Sequence, residues 1–246
     1  MRSFLIVSLL GATTCFGQAS VQSYQPFTAN LVTTYFDDSD SSTEFRSVFA
    51  RKSNGSYARF EHTEDFNRER GTSQYIADFD ERTWTTIKSY TRSATVLAMD
   101  EQEFGNFREL PFTCRNLEDQ STWKQTGKFE MLGFEVIEIE RNVSARSRER
   151  LSVAPVLNCF PLRELLVESD RVVTKVEATE IQRGDPPAAL FAIPVEYALV
   201  SPGEFEKRWK QLYNGRDYLG ERRAADMENR YQRFMRTPAG QKLQTR

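Results

Sequence analysis

From residue 25 onward, apolar and polar positions alternate with a period of two, the pattern of strands with one buried and one wet face. In "FTANLVTTYF" the residues Phe27, Ala29, Leu31, Thr33 and Tyr35 share one face. "DDSDSS" predicts a turn, because Asp and Ser bond readily to their own backbone. "EFRSVFAR" alternates again, and Asn54-Gly55 predicts the hairpin that returns as "YARFEH". "TEDFNRERG" reads as a long hairpin tip, and the single histidine, His62, is expected in a polar loop segment. "SQYIADFD", "RTWTTIKSY" and "SATVLAMD" continue the meander.

Residues 100–128 are less regular, with a helical turn predicted around Glu101 to Glu109. Strands resume with "KFEMLGFEVIEIERN", "RERLSVAPVL", "RELLVESD" and "RVVTKVEATEIQRG". In the last, Val172, Thr174, Val176 and Ala178 oppose Lys175, Glu177 and Thr179, as in an antiparallel sheet. The end of the chain changes period. Ser201 and Glu204 form a capping box with Pro202 at the first helical position. Phe205, Trp209 and Leu212, then Met227, Tyr231 and Phe234, recur at helical spacing, with "NGRDYLG" between, so two helices are predicted.

Between sheet and tail stands "GDPPAALFAIPVEY". Asp185 is placed to cap a single helical turn, with Pro186 and Pro187 in its first positions. Leu190 and Phe191 would plug the adjoining core, and Pro194 would stop the turn and lead into a short extended exit. Phe191→Ala is expected to cost about 3–5 kcal/mol, as truncations of buried Phe do.

Charge separates the same two regions. Residues 20–203 carry 21 Lys/Arg against 29 Asp/Glu, whereas residues 204–246 carry 11 against 6. The near-neutral total of −2 argues against nucleic acid as a partner. A basic tail on an acidic body either packs on that body or meets an anionic membrane surface or envelope partner.

"MRSFLIVSLLGATTCFGQA" predicts a cleaved export signal over residues 1–19, cut after Gly17 or Ala19. Lipidation at Cys15 is disfavoured because Thr14 precedes it. No later stretch is long and apolar enough for a membrane span. The expected location is the periplasm or the exterior. There Cys114 and Cys159, 45 positions apart, are expected to form a disulfide, stabilising by roughly 4 kcal/mol in the chain-entropy model.

Catalytic patterns are scarce. There is no G-x-S-x-G elbow, no phosphate loop and no dinucleotide fingerprint. One histidine, and two cysteines beyond the signal that lack C-x-x-C spacing, exclude the usual zinc sets. Asp37, Asp38 and Asp40 begin like a calcium loop but lack its later Gly and Glu. No catalytic residue, metal or cofactor is therefore assigned. The spread of aromatics over strands fits a core, or a sheet curved around an apolar ligand, and the cavity candidates are Phe45, Phe49, Phe60, Tyr75 and Trp84.

The succession "PFTANLVTT", "FARKSNGSYARFE", "YIADFDERTWTTI", "GKFEMLGFEVIEIER", "VLNCFPLRELL" and "GDPPAALFAIPVEY" resembles the periplasmic lipoprotein carriers, the LolA/LolB-like half-barrels, over roughly residues 25–200. Arg59-Phe60 matches the family's basic–aromatic pair, and Asp80 and Trp84 its spaced Asp and Trp. The resemblance implies a mainly β (α+β) fold: a strongly curved antiparallel sheet, an open half-barrel, with helices against its concave face. It implies an apolar cavity for acyl chains. The expected division is a signal over 1–19, a half-barrel over 20–202 and a basic amphipathic helical tail over 203–246. The expected function is a non-catalytic binding protein for a lipid, a lipoprotein acyl chain or another apolar ligand. The alternative is an envelope interaction protein with a self-filled core and a docking tail.

Overall fold

The computed structural model describes residues 24–37, 41–64, 70–102, 104, 122–212 and 221–244. The signal segment, Cys15, Cys114, Asp38 and Asp40 lie outside the described residues. Six strands follow the first alternating run: β1 (Phe27–Phe36), β2 (Ser42–Arg51), β3 (Tyr57–Glu64), β4 (Arg70–Asp78), β5 (Thr83–Lys88) and β6 (Ser93–Ala98). Five more follow the irregular segment: β7 (Lys124–Met131), β8 (Phe134–Asn142), β9 (Ser147–Ala154), β10 (Phe160–Glu168) and β11 (Arg171–Arg183). The short β12 (Ala198–Leu199) pairs in parallel with β6.

All twelve strands belong to one sheet, ordered β12-β6-β5-β4-β3-β2-β1-β11-β10-β9-β8-β7. Two antiparallel meanders are thus joined through β1, which pairs with both β2 and β11. A register shift at Asn30/Leu31 and another at Pro161/Arg163 interrupt the ladders near that seam, and bulges of this kind add bend and twist.

The sheet curves. Phe49 on β2 and Phe160 on β10 have two strands between them, about 14 Å on a flat sheet at ~4.8 Å per strand. Their rings nevertheless stack at 4.8 Å, and Phe27 of β1 meets Phe160 at 4.9 Å. Only a sheet folded toward these side chains brings them together, so this face is concave. It carries the largest buried cluster, with Phe27, Leu31, Phe49, Tyr57, Phe134, Leu157, Phe160 and Leu162. Glu101, Gln102 and Phe104 are helical, and the Phe104 ring meets Phe79 on this side at 5.5 Å.

The Asn54-Gly55 hairpin forms as predicted. Gly55 adopts φ +91°, and a Cβ there would lie 2.7 Å from Tyr24 Cε2, so only glycine fits. His62 lies in strand β3, paired with Thr72, rather than in the loop.

The convex face is covered over β3 to β6. Ala58, Ile76, Ile87 and Ala94 are buried there against Phe60, Phe191, Ile193 and Tyr197. Among the described residues three helices follow, where the periodicity predicts two: α1 (Pro202–Leu212), α2 (Glu221–Met235) and α3 (Pro238–Gln244). Ser201 Oγ accepts from Glu204 N–H at 3.2 Å, as the capping box requires. Trp209 packs edge-on to Tyr90, while Phe234 and Met235 bury against Val96. The tail docks through apolar side chains, with Arg230 buried beside them and donating from Nε to the Ala98 carbonyl at 3.0 Å.

The closing segment differs from expectation in its cap. The 3-10 turn Ala188–Phe191 begins at Pro187 with no side-chain cap, and Asp185 is exposed. Pro186 is buried, and Gln74 donates to the Leu190 carbonyl at 2.9 Å. The turn already ends at Phe191, capped by Ala192, and Tyr197 N–H donates to the Pro194 carbonyl at 3.0 Å, so Pro194 opens the next one. Phe191 is half-buried, with Lys52 Nζ 4.2 Å above its ring.

Candidate ligand cavity

Where the concave face nears the seam, a cavity of about 440 Å³ opens, within the range of small-molecule sites. Leu31, Phe49, Tyr57, Trp84, Phe160 and Val176 supply its apolar walls. Arg59, Glu61, Tyr75 and Glu164 add polar groups, and Pro161 completes the lining among the described residues. Strand register explains the assembly. Arg59 faces Tyr75 across β3–β4, Tyr75 faces Thr86 across β4–β5, and Trp84 follows two residues before on the same face. Val176 arrives through β1–β11, opposite Thr33, and Glu164 through β10–β11, opposite Val176.

Of the sequence candidates, Phe49, Tyr75 and Trp84 come together here, with Tyr75 stacked on Trp84 at 5.8 Å. Phe45 sits further along the Phe49 face, edge-on to Tyr35 at 5.7 Å, outside the lining. Phe60 points to the convex side and joins the cluster under Phe191. Sequence reasoning names Arg59 only as half of the basic–aromatic pair and does not name Glu61, so neither stands among the cavity candidates. The alternation around Phe60 does hold the signal that they share a face opposite to it.

Beneath the cavity, Arg51 is buried with its guanidinium 5.4 Å from the Tyr24 and Phe49 ring centroids and 5.9 Å from Phe27. Desolvation pulls it down to about 10, with Tyr24 and Tyr57 opposing, so it stays charged at neutral pH and makes cation–π contacts. Burial pushes the Tyr57 phenol up against the opposing charges of Arg51 and Arg59. At the rim Arg59 Nε and Glu61 Oε1 pair at 2.8 Å. Burial, and then the Glu149 charge, raise the Glu164 carboxyl, with Arg59 and Arg141 opposing. Tyr75 is raised by burial and then by Glu61, while a Ser73 hydrogen bond and Arg59 oppose.

Away from the cavity, the glutamates of β8 form a cross-strand ladder, with Glu138 pairing Arg163 at 3.3 Å and Glu140 pairing Arg150 at 2.9 Å. Cys159 is buried with Trp123, Ile139, Leu151 and Val153. Among the described residues no group of His, Cys, Asp and Glu is arranged to hold a metal, and no helix is long and apolar enough to cross a membrane.

No protein-family model matches the chain. No curated protein sequence matches it either. Similar solved structures include an uncharacterised conserved protein from Thermus thermophilus, at 10% identity and TM-score 0.46, covering 72% of this chain and 90% of that one. MucB is similar at 14% identity and TM-score 0.43, covering 74% of this chain and 62% of MucB, so the chain spans under two thirds of that protein. A LolA superfamily protein from Nitrosomonas europaea is similar at 10% identity and TM-score 0.33, covering 69% and 90%. The fold is an open, curved and predominantly antiparallel sheet, a half-barrel bent over an aromatic concave face and followed by C-terminal helices.

Proposed function

We propose that this chain is an exported, non-catalytic binding protein that holds an acyl chain or comparable apolar ligand, from a lipid or a lipoprotein, in the concave cavity. The observation that carries the proposal is the cavity itself: about 440 Å³ with aromatic and aliphatic walls and a few polar groups at one side. Such a lining suits burial of a chain, at ~25 cal/mol per Å² of apolar surface removed from water. The docked tail supports binding over the alternative role, because Phe205, Trp209, Phe234 and Met235 are buried on the chain's own sheet. The signal segment supports export and a periplasmic location. The Cys114–Cys159 bridge is part of the same reading, and peptide mapping without reductant should recover the linked pair.

Val176→Trp tests the site. An indole there should fill the cavity and abolish uptake of a fluorescent apolar probe, with the melting temperature unchanged or higher. Wild-type uptake by a stable, filled variant would place the binding elsewhere.

A further inference from the structure

The polar wall of the cavity has a direction. Lys88 is buried and its Nζ lies 2.7 Å from Ser73 Oγ and 2.6 Å from Tyr75 Oη. An ammonium has only donors, so both oxygens accept from it. The Ser73 hydroxyl, fully buried, holds the same ammonium from the protein side. Tyr75 Oη therefore accepts from Lys88 on the protein side, and its own hydroxyl proton is left to donate. The Tyr75 side chain lines the cavity.

Resting on the reading of this cavity as a ligand site, we propose that Tyr75, oriented by Lys88 and Ser73, is its polar anchor. The Tyr75 hydroxyl donates to a carbonyl-type oxygen at the head of an acyl ligand, whose chain then runs along the Phe49–Phe160 wall. Arg59, opposite Tyr75 on the neighbouring strand, supplies further donors on the same side. Glu61 binds Arg59 Nε at 2.8 Å and fixes that guanidinium rather than competing for the head. The Lys88 ammonium draws charge toward itself through the phenol oxygen and makes the hydroxyl a stronger donor. A free acid and an ester present the same oxygen, so the proposal specifies the acyl carbonyl and not its source.

The test displaces N-phenyl-1-naphthylamine, a probe with no carbonyl, by hexadecanoic acid, methyl hexadecanoate and hexadecane. It compares the wild-type protein with Tyr75→Phe. The variant should bind the probe and hexadecane as before and bind the carbonyl ligands roughly five- to ten-fold more weakly, the loss of one net hydrogen bond. Weakening of both acid and ester supports recognition of the carbonyl, and weakening of the acid alone supports recognition of the carboxylate. Unchanged affinity for both overturns the anchor, and so does an equal loss for hexadecane. A wild-type protein that takes up neither probe nor hexadecane overturns the cavity reading and the anchor with it. Should Tyr75→Phe fail to fold, nuclear Overhauser contacts in the wild type decide the point. Contacts from the Tyr75 ring to the protons next to the acid's carbonyl are expected, and contacts to its terminal methyl instead overturn the orientation.

Discussion

The two faces of the β3–β6 half use the same strands for opposite ends. On the convex side, Ala58, Ile76, Thr85 and Val96 line up across four strands and are buried under the closing segment and the helical tail. On the concave side, one residue out of step, Arg59, Tyr75 and Thr86 line up instead, and a cavity remains. The convex face has a gap of its own, about 320 Å³ under α3, with Asp78, Glu81 and Lys242 among its lining. What separates the faces is the lining: aromatic walls with a directed polar side in one, side chains of the chain's own helices in the other. A sheet can carry its own chain's helices on one face and a ligand-sized cavity on the other without any change in strand pattern.

The largest effect should come from the point where the faces of the two meanders meet. Phe160 is buried and touches Phe27 and Phe49, so Phe160→Ala should cost about 3–5 kcal/mol in urea unfolding. A loss under about 1 kcal/mol would mean that the seam is not the core. Overpacking then separates the two faces. Ala94 is fully buried on the convex side, and Ala94→Leu should cost about 1–3 kcal/mol. That cost stands against a neutral or stabilising Val176→Trp in the cavity, and equal costs for the two would erase the distinction between the faces.

Phe191→Ala comes next. Because the ring is half-buried rather than sealed, about half the full penalty is expected, ~2 kcal/mol in thermal melts. A full penalty would show that the closing segment is a deeper plug than its exposure indicates. The smallest effect concerns Glu164. Its raised carboxyl means that the folded protein holds the proton more tightly than the unfolded chain does. That contribution favours the fold at low pH and is lost as pH rises from the ordinary carboxylate value through the raised one. Unfolding from about pH 4 to about pH 8 should show wild type losing ground to Glu164→Gln as pH rises, and parallel curves would contradict the raised carboxyl.

Much of the fold is legible because alternation reports strands directly, and because Asn54-Gly55 and the Ser201–Glu204 box are local signals. The cavity is harder to read. Phe60 stands among the cavity candidates and Arg59 and Glu61 do not, yet the pairing puts the charged pair inside the curve and the ring outside. The usual rule that apolar side chains mark the inner face inverts where the inner face is kept open. Phe160, Glu164 and Val176 reach the site only through the long-range β1–β11 pairing, which no local pattern encodes. Asp185 looks like a cap from its place before two prolines, but the turn starts later, at Pro187.

The most direct test of the central claim is native mass spectrometry of the protein gently purified from the envelope of its exporting cell, with lipid extraction of the same sample. A stoichiometric apolar ligand is predicted on the wild type and should be absent from Val176→Trp. A clean apo mass, with no uptake of added fatty acid or phospholipid, would contradict the claim.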